Sequence, residues 1–210
     1  MLSSISKQLN FGLKTIIYAL LLVFGISFFF IQNNFEILGA LAGKFAIYLL
    51  WLIAIPGILR RFKASGFLKN IQTIMMLNRR QLGILMFVLV LIHYFWSRGF
   101  GYILKGPPTT IPVFQIFGTL AFMLSIPLVI TSNDFLQRKM KKWWQRLHYA
   151  SYLIMFLLIF HVSMQGVNLN LFGLKLDREY TFQYAIPTII IMIVQFVSWV
   201  WYFRQRRAKV

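Results

Sequence analysis

Long apolar runs recur along this sequence, and they constrain its fold more than any other feature. They cover residues 14–31, 38–59, 81–96, 113–131, 143–164 and 182–203. An apolar run of about 18 or more residues is typical of a membrane-spanning helix. The runs are continuous and do not alternate with polar residues, so a β-barrel is a poor alternative. The sequence therefore predicts an all-α, polytopic membrane protein with six transmembrane helices.

The basic residues are grouped between these runs and indicate an orientation. The net charge is +18, and a basic balance of this size can also indicate nucleic-acid binding. Short basic blocks beside apolar runs instead follow the positive-inside rule. We therefore expect the protein to lie in a lipid membrane and not to bind nucleic acid. Seventeen of the 22 lysines and arginines fall on the side of the two termini, and four fall on the other side. Both termini are therefore expected in the cytoplasm.

The segments between the runs contain no candidate soluble domain or internal repeat, so we expect one transmembrane domain over residues 1–210. The first run is too long for a signal peptide and is expected to be retained. The segment Arg60–Arg80 has apolar residues at helical spacing and is predicted to lie along the bilayer surface. Residues 97–112 and 165–181 are predicted to be loops. Residues 131–134 are predicted to cap a short helix over 135–142.

Histidine is the one strong metal ligand that this composition offers. Cysteine is absent, which excludes disulfides, thiolate metal sites, iron–sulfur clusters and covalently attached haem. The three histidines, His93, His148 and His161, all lie in apolar runs. His93 and His161 are both predicted in the outer half of the bilayer, on separate helices, and His148 near the cytoplasmic side. We hypothesise that these imidazoles bind b-type haem inside the bundle.

Two other interpretations of the histidines remain open. Intramembrane histidines also serve as proton relays, or hydrogen-bond to a neighbouring helix.

The spacing of His148 and His161 is a separate question. They are 13 residues apart, which is about 20 Å along an ideal helix but roughly 140° around it. The helix then contains a π-bulge or local unwinding, or two haems are offset around it.

Two motifs in the sequence carry a family resemblance. NRRQLGILMFVLVLIHYFW, followed by TSNDFLQRKMKKWWQRLHYASYLIMFLLIFH, resembles the ferric-reductase-like transmembrane domain over residues 39–202. That family includes ferric reductases, NADPH oxidases and the haem-binding membrane subunit of bacterial protein-methionine-sulfoxide reductase. The resemblance implies that His93 and His161 are the axial pair of an outer haem. It also implies that His148 is a ligand of an inner haem.

The sequence departs from the family pattern at the inner haem. The resemblance places the partner of His148 13 or 14 residues before His93, where the chain has Arg79 and Arg80. One haem b is therefore expected, and the second is open: it is absent, five-coordinate or ligated by another group. This loss is similar to the methionine-sulfoxide-reductase membrane subunits. We also expect no flavin or nicotinamide domain after the sixth run, where the sequence reads RQRRAKV. This too is similar to the methionine-sulfoxide-reductase membrane subunits.

The resemblance implies an electron-transfer subunit, not the catalytic subunit, in the bacterial inner membrane. Its implied electron donor is a quinol or a flavin reductase, and its acceptor is a periplasmic, molybdenum-containing methionine-sulfoxide reductase. A component of a transmembrane ferric reductase is the alternative within redox chemistry. A haem-free transporter or proton channel is the alternative from another class.

Five basic residues are candidates for anionic groups of the cofactors. Lys44 and Arg98 are predicted near the outer haem and are candidates to bind its propionates. Arg79, Arg80 and Arg146 are candidates for inner propionates, a quinone or the phosphate of FMN. Snorkelling and inside-positive topology are the competing explanations for all five.

Overall fold

The computed structural model describes residues 2–30, 35–106, 111–164 and 181–207, and these residues are almost entirely helical. Its α-helices are α1 (Leu2–Ser27), α2 (Glu36–Arg61), α3 (Gly66–Tyr94), α4 (Phe100–Lys105), α5 (Val113–Ile130), α6 (Asp134–Met140), α7 (Lys142–His148), α8 (Ala150–Ser163) and α9 (Ile186–Arg207). A 3₁₀ turn (Phe28–Phe30) follows α1, and π-helical turns (Phe95–Gly99 and Thr181–Ala185) follow α3 and precede α9.

The predicted all-α class and the six spans are confirmed. Six helices in the described part of the chain are long and apolar enough to cross a membrane: Ser4–Phe30, Glu36–Arg61, Gly66–Lys105, Val113–Ile130, Lys142–Ser163 and Phe182–Gln205. The second, fourth and sixth spans lie within a few residues of their predicted positions. The first helix begins 12 residues earlier than the predicted run, because its amphipathic start is helical without being strongly apolar.

The third span corrects two predictions. The segment Arg60–Arg80 is not a separate surface helix, because α3 runs without a break from Gly66 to Tyr94. Asn78, Arg79 and Arg80 interrupt the hydropathy, but they are not helix breakers. Residues 97–105 are not a loop either, since a π-turn and α4 continue the helix to Lys105. Most of the other predicted loop, residues 165–180, lies outside the described residues.

The chain forms two compact units, which we describe separately. The first comprises Met1–Gly106 and Ile193–Val210. Its core joins α1, α2 and α3 through Leu13, Ile17, Ala42, Leu82, Leu85, Val88 and Ile92. Asn78 donates to Ser6 Oγ at 3.0 Å, and Trp96 Nε1 donates to Ser27 Oγ at 2.9 Å. The earlier residue of α1, Ser6, thus pairs with the earlier residue of the third span, and Ser27 with the later one, so α1 and α3 run parallel.

The second unit comprises Pro107–Met192, and its core is the packing of α5 on α8. Ala121, Ile154 and Leu157 are buried there. The predicted capped helix is present as α6: the Asn133 side chain accepts a hydrogen bond from Leu136 N at 2.8 Å. Lys141, with φ 48°, then separates α6 from α7.

Candidate functional site

His93 is held in the first unit by the backbone of α2. The half-buried imidazole lies on α3, and its Nδ1 is 2.9 Å from the carbonyl oxygen of Gly39. A carbonyl only accepts hydrogen bonds, so Nδ1 carries the proton. In the neutral ring Nε2 is then the nitrogen with the lone pair, which is the one that can bind a metal. Ser97 Oγ, one turn further along the chain, lies 3.4 Å from the same Nδ1.

Two glycines on α2 make this close approach of the helices possible. A Cβ atom at Gly43 would lie 2.7 Å from His93 Nδ1, and a Cβ atom at Gly39 would lie 2.6 Å from Ser97 Oγ. Both distances are shorter than an ordinary van der Waals contact of a Cβ atom. Gly39 and Gly43 form a Gly-x-x-x-Gly motif, which allows helix backbones to approach closely in membranes. The motif here faces a histidine and the serine one turn after it.

His161 has the same kind of setting in the second unit. It lies on α8, two residues before the helix ends, and its Nδ1 is 2.8 Å from the carbonyl oxygen of Phe114 on α5. A Cβ atom at Gly118 would lie 2.6 Å from this Nδ1 and 2.8 Å from Cε1. Nδ1 again carries the proton, so Nε2 is again the nitrogen that can bind a metal.

The two settings share one design, which we call the carbonyl–glycine cradle. Each consists of a helix carbonyl and the glycine four residues later: Gly39 with Gly43, and Phe114 with Gly118. In an α-helix the carbonyl of one residue points towards the N–H of the fourth residue after it. A side chain at that fourth position would cover the carbonyl from the side. Glycine there leaves the oxygen open to an imidazole from the neighbouring helix.

His148 has a different setting. Its Nδ1 is 3.0 Å from the carbonyl oxygen of Trp144 in its own helix, and the two rings lie 3.9 Å apart between centroids. Trp144 Nε1 donates to the carbonyl oxygen of Thr131 at 2.9 Å, which fixes the indole. Trp144 therefore positions the ring of His148.

The fifth span is interrupted directly after His148. Tyr149 separates α7 from α8, and its N–H bonds to Arg146 O while its carbonyl accepts from Tyr152 N, at 3.1 and 3.0 Å. These bonds close i to i−3 turns, so the helix is tightened there and does not form the wider turn of a π-bulge. Because of this tightening, the angle around the helix axis between His148 and His161 differs from the roughly 140° of an ideal helix.

The predicted basic residues have varied surroundings. Lys44 is half-buried on α2 beside Gly43, and Arg98 is exposed in the π-turn that follows His93. Arg79 and Arg80 are exposed on α3, roughly 20 Å along the helix from His93. Arg146 is exposed and lies 4.8 Å from the centroid of the Trp143 ring.

The structure adds residues that the sequence analysis did not single out. The glycines of the two cradles are the clearest, and the Gly-x-x-x-Gly spacing in an apolar run was the signal for the pair on α2. Gly118 has no such partner on α5, so its role becomes visible only in the packing. Arg61 belongs to a basic block that the sequence assigns to membrane orientation, yet its side chain is buried.

Comparisons with known proteins identify the family. A family model described as "Ferric reductase like transmembrane component" matches residues 42–159. This match contains His93 and His148 and ends two residues before His161. No solved structure matches the chain.

Curated relatives point to the same family. The haem-binding subunit MsrQ of protein-methionine-sulfoxide reductase from Xanthomonas axonopodis pv. citri is 33% identical over 100 residues. The subunit of the same name from Xanthomonas campestris pv. campestris is 32% identical over 100 residues. Each alignment spans 43% of this chain and 43% of the relative, so less than half of either protein is compared. Because the family model matches more than half of its residues, the chain belongs to the ferric reductase-like transmembrane family and is a multi-pass membrane protein.

Proposed function

We propose that this protein binds haem b through His93 and His161 and carries electrons across the bacterial inner membrane. The observation that carries the proposal is the carbonyl–glycine cradle, which is built once around each of these two histidines. Metal-binding histidines usually donate their second ring N–H to a carbonyl or carboxylate, which fixes the ring and raises the basicity of the ligating nitrogen. By this criterion both imidazoles could ligate haem iron.

The protein's own residues would fix the ligands and exclude water. The carbonyl oxygens of Gly39 and Phe114 hold the Nδ1 protons, so each ring keeps one tautomer and one orientation. Val88 and Ile92 on the helix of His93, and Ile154 and Leu157 on the helix of His161, are buried apolar residues. The one-electron chemistry itself is supplied by the haem when it is bound. Lys44 and Arg98 remain our candidates for its propionates.

The direction of transfer and the partners are part of the proposal. The MsrQ relatives are named haem-binding subunits of protein-methionine-sulfoxide reductase, which supports a periplasmic methionine-sulfoxide reductase as the acceptor. The sequence resemblance adds that the acceptor contains molybdenum and that the donor is a quinol or a reduced flavin. With both termini in the cytoplasm, the protein would be the membrane subunit of that complex and not its catalytic subunit.

A transmembrane ferric reductase is the second candidate, because the matching family model bears that description. Proteoliposomes that contain the purified protein and a quinol, or reduced FMN, separate the two functions. For the methionine-sulfoxide function we expect haem reduced by the donor to be reoxidised by a periplasmic methionine-sulfoxide reductase much faster than by ferric citrate. The reverse order would favour a ferric reductase. A protein without any haem spectrum would favour a transporter or proton channel.

The His148→Ala variant tests the separate role of the third histidine. His148 bonds to its own helix and contacts the Trp144 ring at a tilt, so it does not share the setting of the other two. We expect this variant to keep the low-spin spectrum of the haem bound by His93 and His161. The haem-to-protein ratio should stay unchanged if one haem is present, or fall by one haem if there are two. Loss of the low-spin spectrum would mean that His148 ligates that haem itself.

A further inference from the structure

Arg61 is a buried cation in the first unit. It is the last residue of α2, and only 7% of its surface is exposed. Its Nε donates to Ser198 Oγ at 2.6 Å, and its guanidinium carbon lies 5.3 Å from the centroid of the Trp199 ring. Its Nη2 is buried without a hydrogen-bond partner among the described residues. Part of this buried guanidinium is therefore unsatisfied.

The first unit holds no nearby acidic residue that could compensate this charge. Arginine stays protonated in proteins, and a buried charge requires a compensating partner. Glu36 is the only acidic residue in segments 1–106 and 193–210. It lies at the other end of α2, 25 residues away, which is about 37 Å. The partial negative charge at the C-terminal end of α2 is favourable, but it leaves Nη2 without an acceptor.

Gly57 leaves space beside the guanidinium. It lies one turn before Arg61 on α2, and a Cβ atom there would be 3.7 Å from Nη1 and 3.8 Å from Nη2. A side chain at residue 57 would therefore contact both nitrogens, whereas glycine leaves that position beside them open. The planar fork of N–H groups on a guanidinium matches the spacing of two oxygens of one phosphate or carboxylate group.

We propose that Arg61, positioned by Ser198 and Trp199, binds the phosphate group of an anionic phospholipid. Arg61 ends an apolar helix that is long enough to span a membrane, and lipid headgroups lie at such an end. The neighbouring Arg60 and Lys63 are exposed and add to the attraction for anionic lipid. The proposal is independent of haem binding.

Two arginine variants with the same change of charge test the site. Arg61→Gln removes the buried cation, and Arg60→Gln removes the exposed one beside it. The purified proteins are placed in nanodiscs of phosphatidylcholine with increasing fractions of phosphatidylglycerol, and bound lipid is measured by native mass spectrometry. We expect Arg61→Gln to bind phosphatidylglycerol about tenfold more weakly than wild type, because charge-assisted hydrogen bonds are lost. Arg60→Gln should stay within about twofold of wild type, as is usual for an exposed charge.

Three results would overturn the proposal. Equal losses in both variants would mean that lipid responds to diffuse surface charge. Unchanged lipid binding in Arg61→Gln with loss of haem would assign the arginine to a propionate. Displacement of phosphatidylglycerol by millimolar inorganic phosphate would assign the site to free phosphate. If Arg61→Gln does not fold, Gly57→Ala closes the gap without changing charge, and it should lower phosphatidylglycerol binding while Gly25→Ala does not.

Discussion

Alanine in place of His93 or His161 should abolish the low-spin b-type spectrum of the purified protein. Each substitution removes one of the two imidazoles that we propose as haem ligands, and a haem held there would not be covalently attached because the chain has no cysteine. Changes to residues that only support a metal ligand lower metal affinity by about 10–100-fold. We therefore expect loss of the ligand itself to lower haem retention by more than about 100-fold. Haem-to-protein ratios and spectra of the oxidised and reduced proteins measure this.

The matched control for both variants is His148→Ala, because it also removes one imidazole from a membrane-spanning segment. Circular dichroism should show unchanged helix content in all three proteins. Glycine variants at residues 93 and 161, supplied with free imidazole, should regain part of the low-spin spectrum, because imidazole can enter the space left by the ring. A normal low-spin spectrum in His93→Ala or His161→Ala would remove that residue from the ligand set.

Alanine at Gly43 or Gly118 should disturb haem binding although neither glycine is a ligand. The new Cβ atom would lie 2.7 Å from His93 Nδ1, or 2.6 Å from His161 Nδ1, so the ring must move away from its carbonyl. Overpacking of this kind costs about 1–3 kcal/mol. Because the hydrogen bond that orients the ligand is also lost, we expect haem affinity to fall by about 10–100-fold. The midpoint potential of the remaining haem should shift as well.

Gly25→Ala is the control for these two variants. It lies inside the apolar α1, and a Cβ atom at residue 25 would meet nothing within 4 Å. The Gly25→Ala protein should keep the haem content and midpoint potential of the wild type. If Gly43→Ala lowers thermal stability but leaves the potential and the spin state unchanged, the glycine only packs helices and does not position His93.

The parts of the fold that follow from hydropathy could be predicted from the sequence. Six apolar helices and the helix that begins after Asn133 are present as expected. The sequence predicts too short a third span, because Arg79 and Arg80 break the apolar run without breaking the helix. Residues 97–105 look like a loop because they contain glycines, yet Gly99 and Gly101 lie within the helical extension of α3. Helix propensity and membrane hydropathy are separate signals, and here they disagree.

The site could be predicted only as far as residue type allows. His93, His148 and His161 stand out because they are the only histidines and lie in apolar runs. The partners of their Nδ1 atoms are backbone carbonyls, which no residue type reveals. Gly118 is a single glycine in an apolar helix, and its contact with His161 depends on the packing of α5 against α8. Arg61 belongs to a basic block in the sequence, so its burial also becomes visible only in the fold.

The central claim is that two imidazoles ligate haem iron through Nε2 while backbone carbonyls hold their Nδ1 protons. Pulsed electron paramagnetic resonance of the oxidised protein, prepared with ¹⁵N-labelled histidine, tests it most directly. For the wild type we predict a low-spin ferric signal that is coupled to two axial histidine nitrogens. In His93→Ala and in His161→Ala we predict coupling to no more than one histidine nitrogen. A wild-type signal with a single histidine nitrogen, or one that persists unchanged in either variant, would contradict the account.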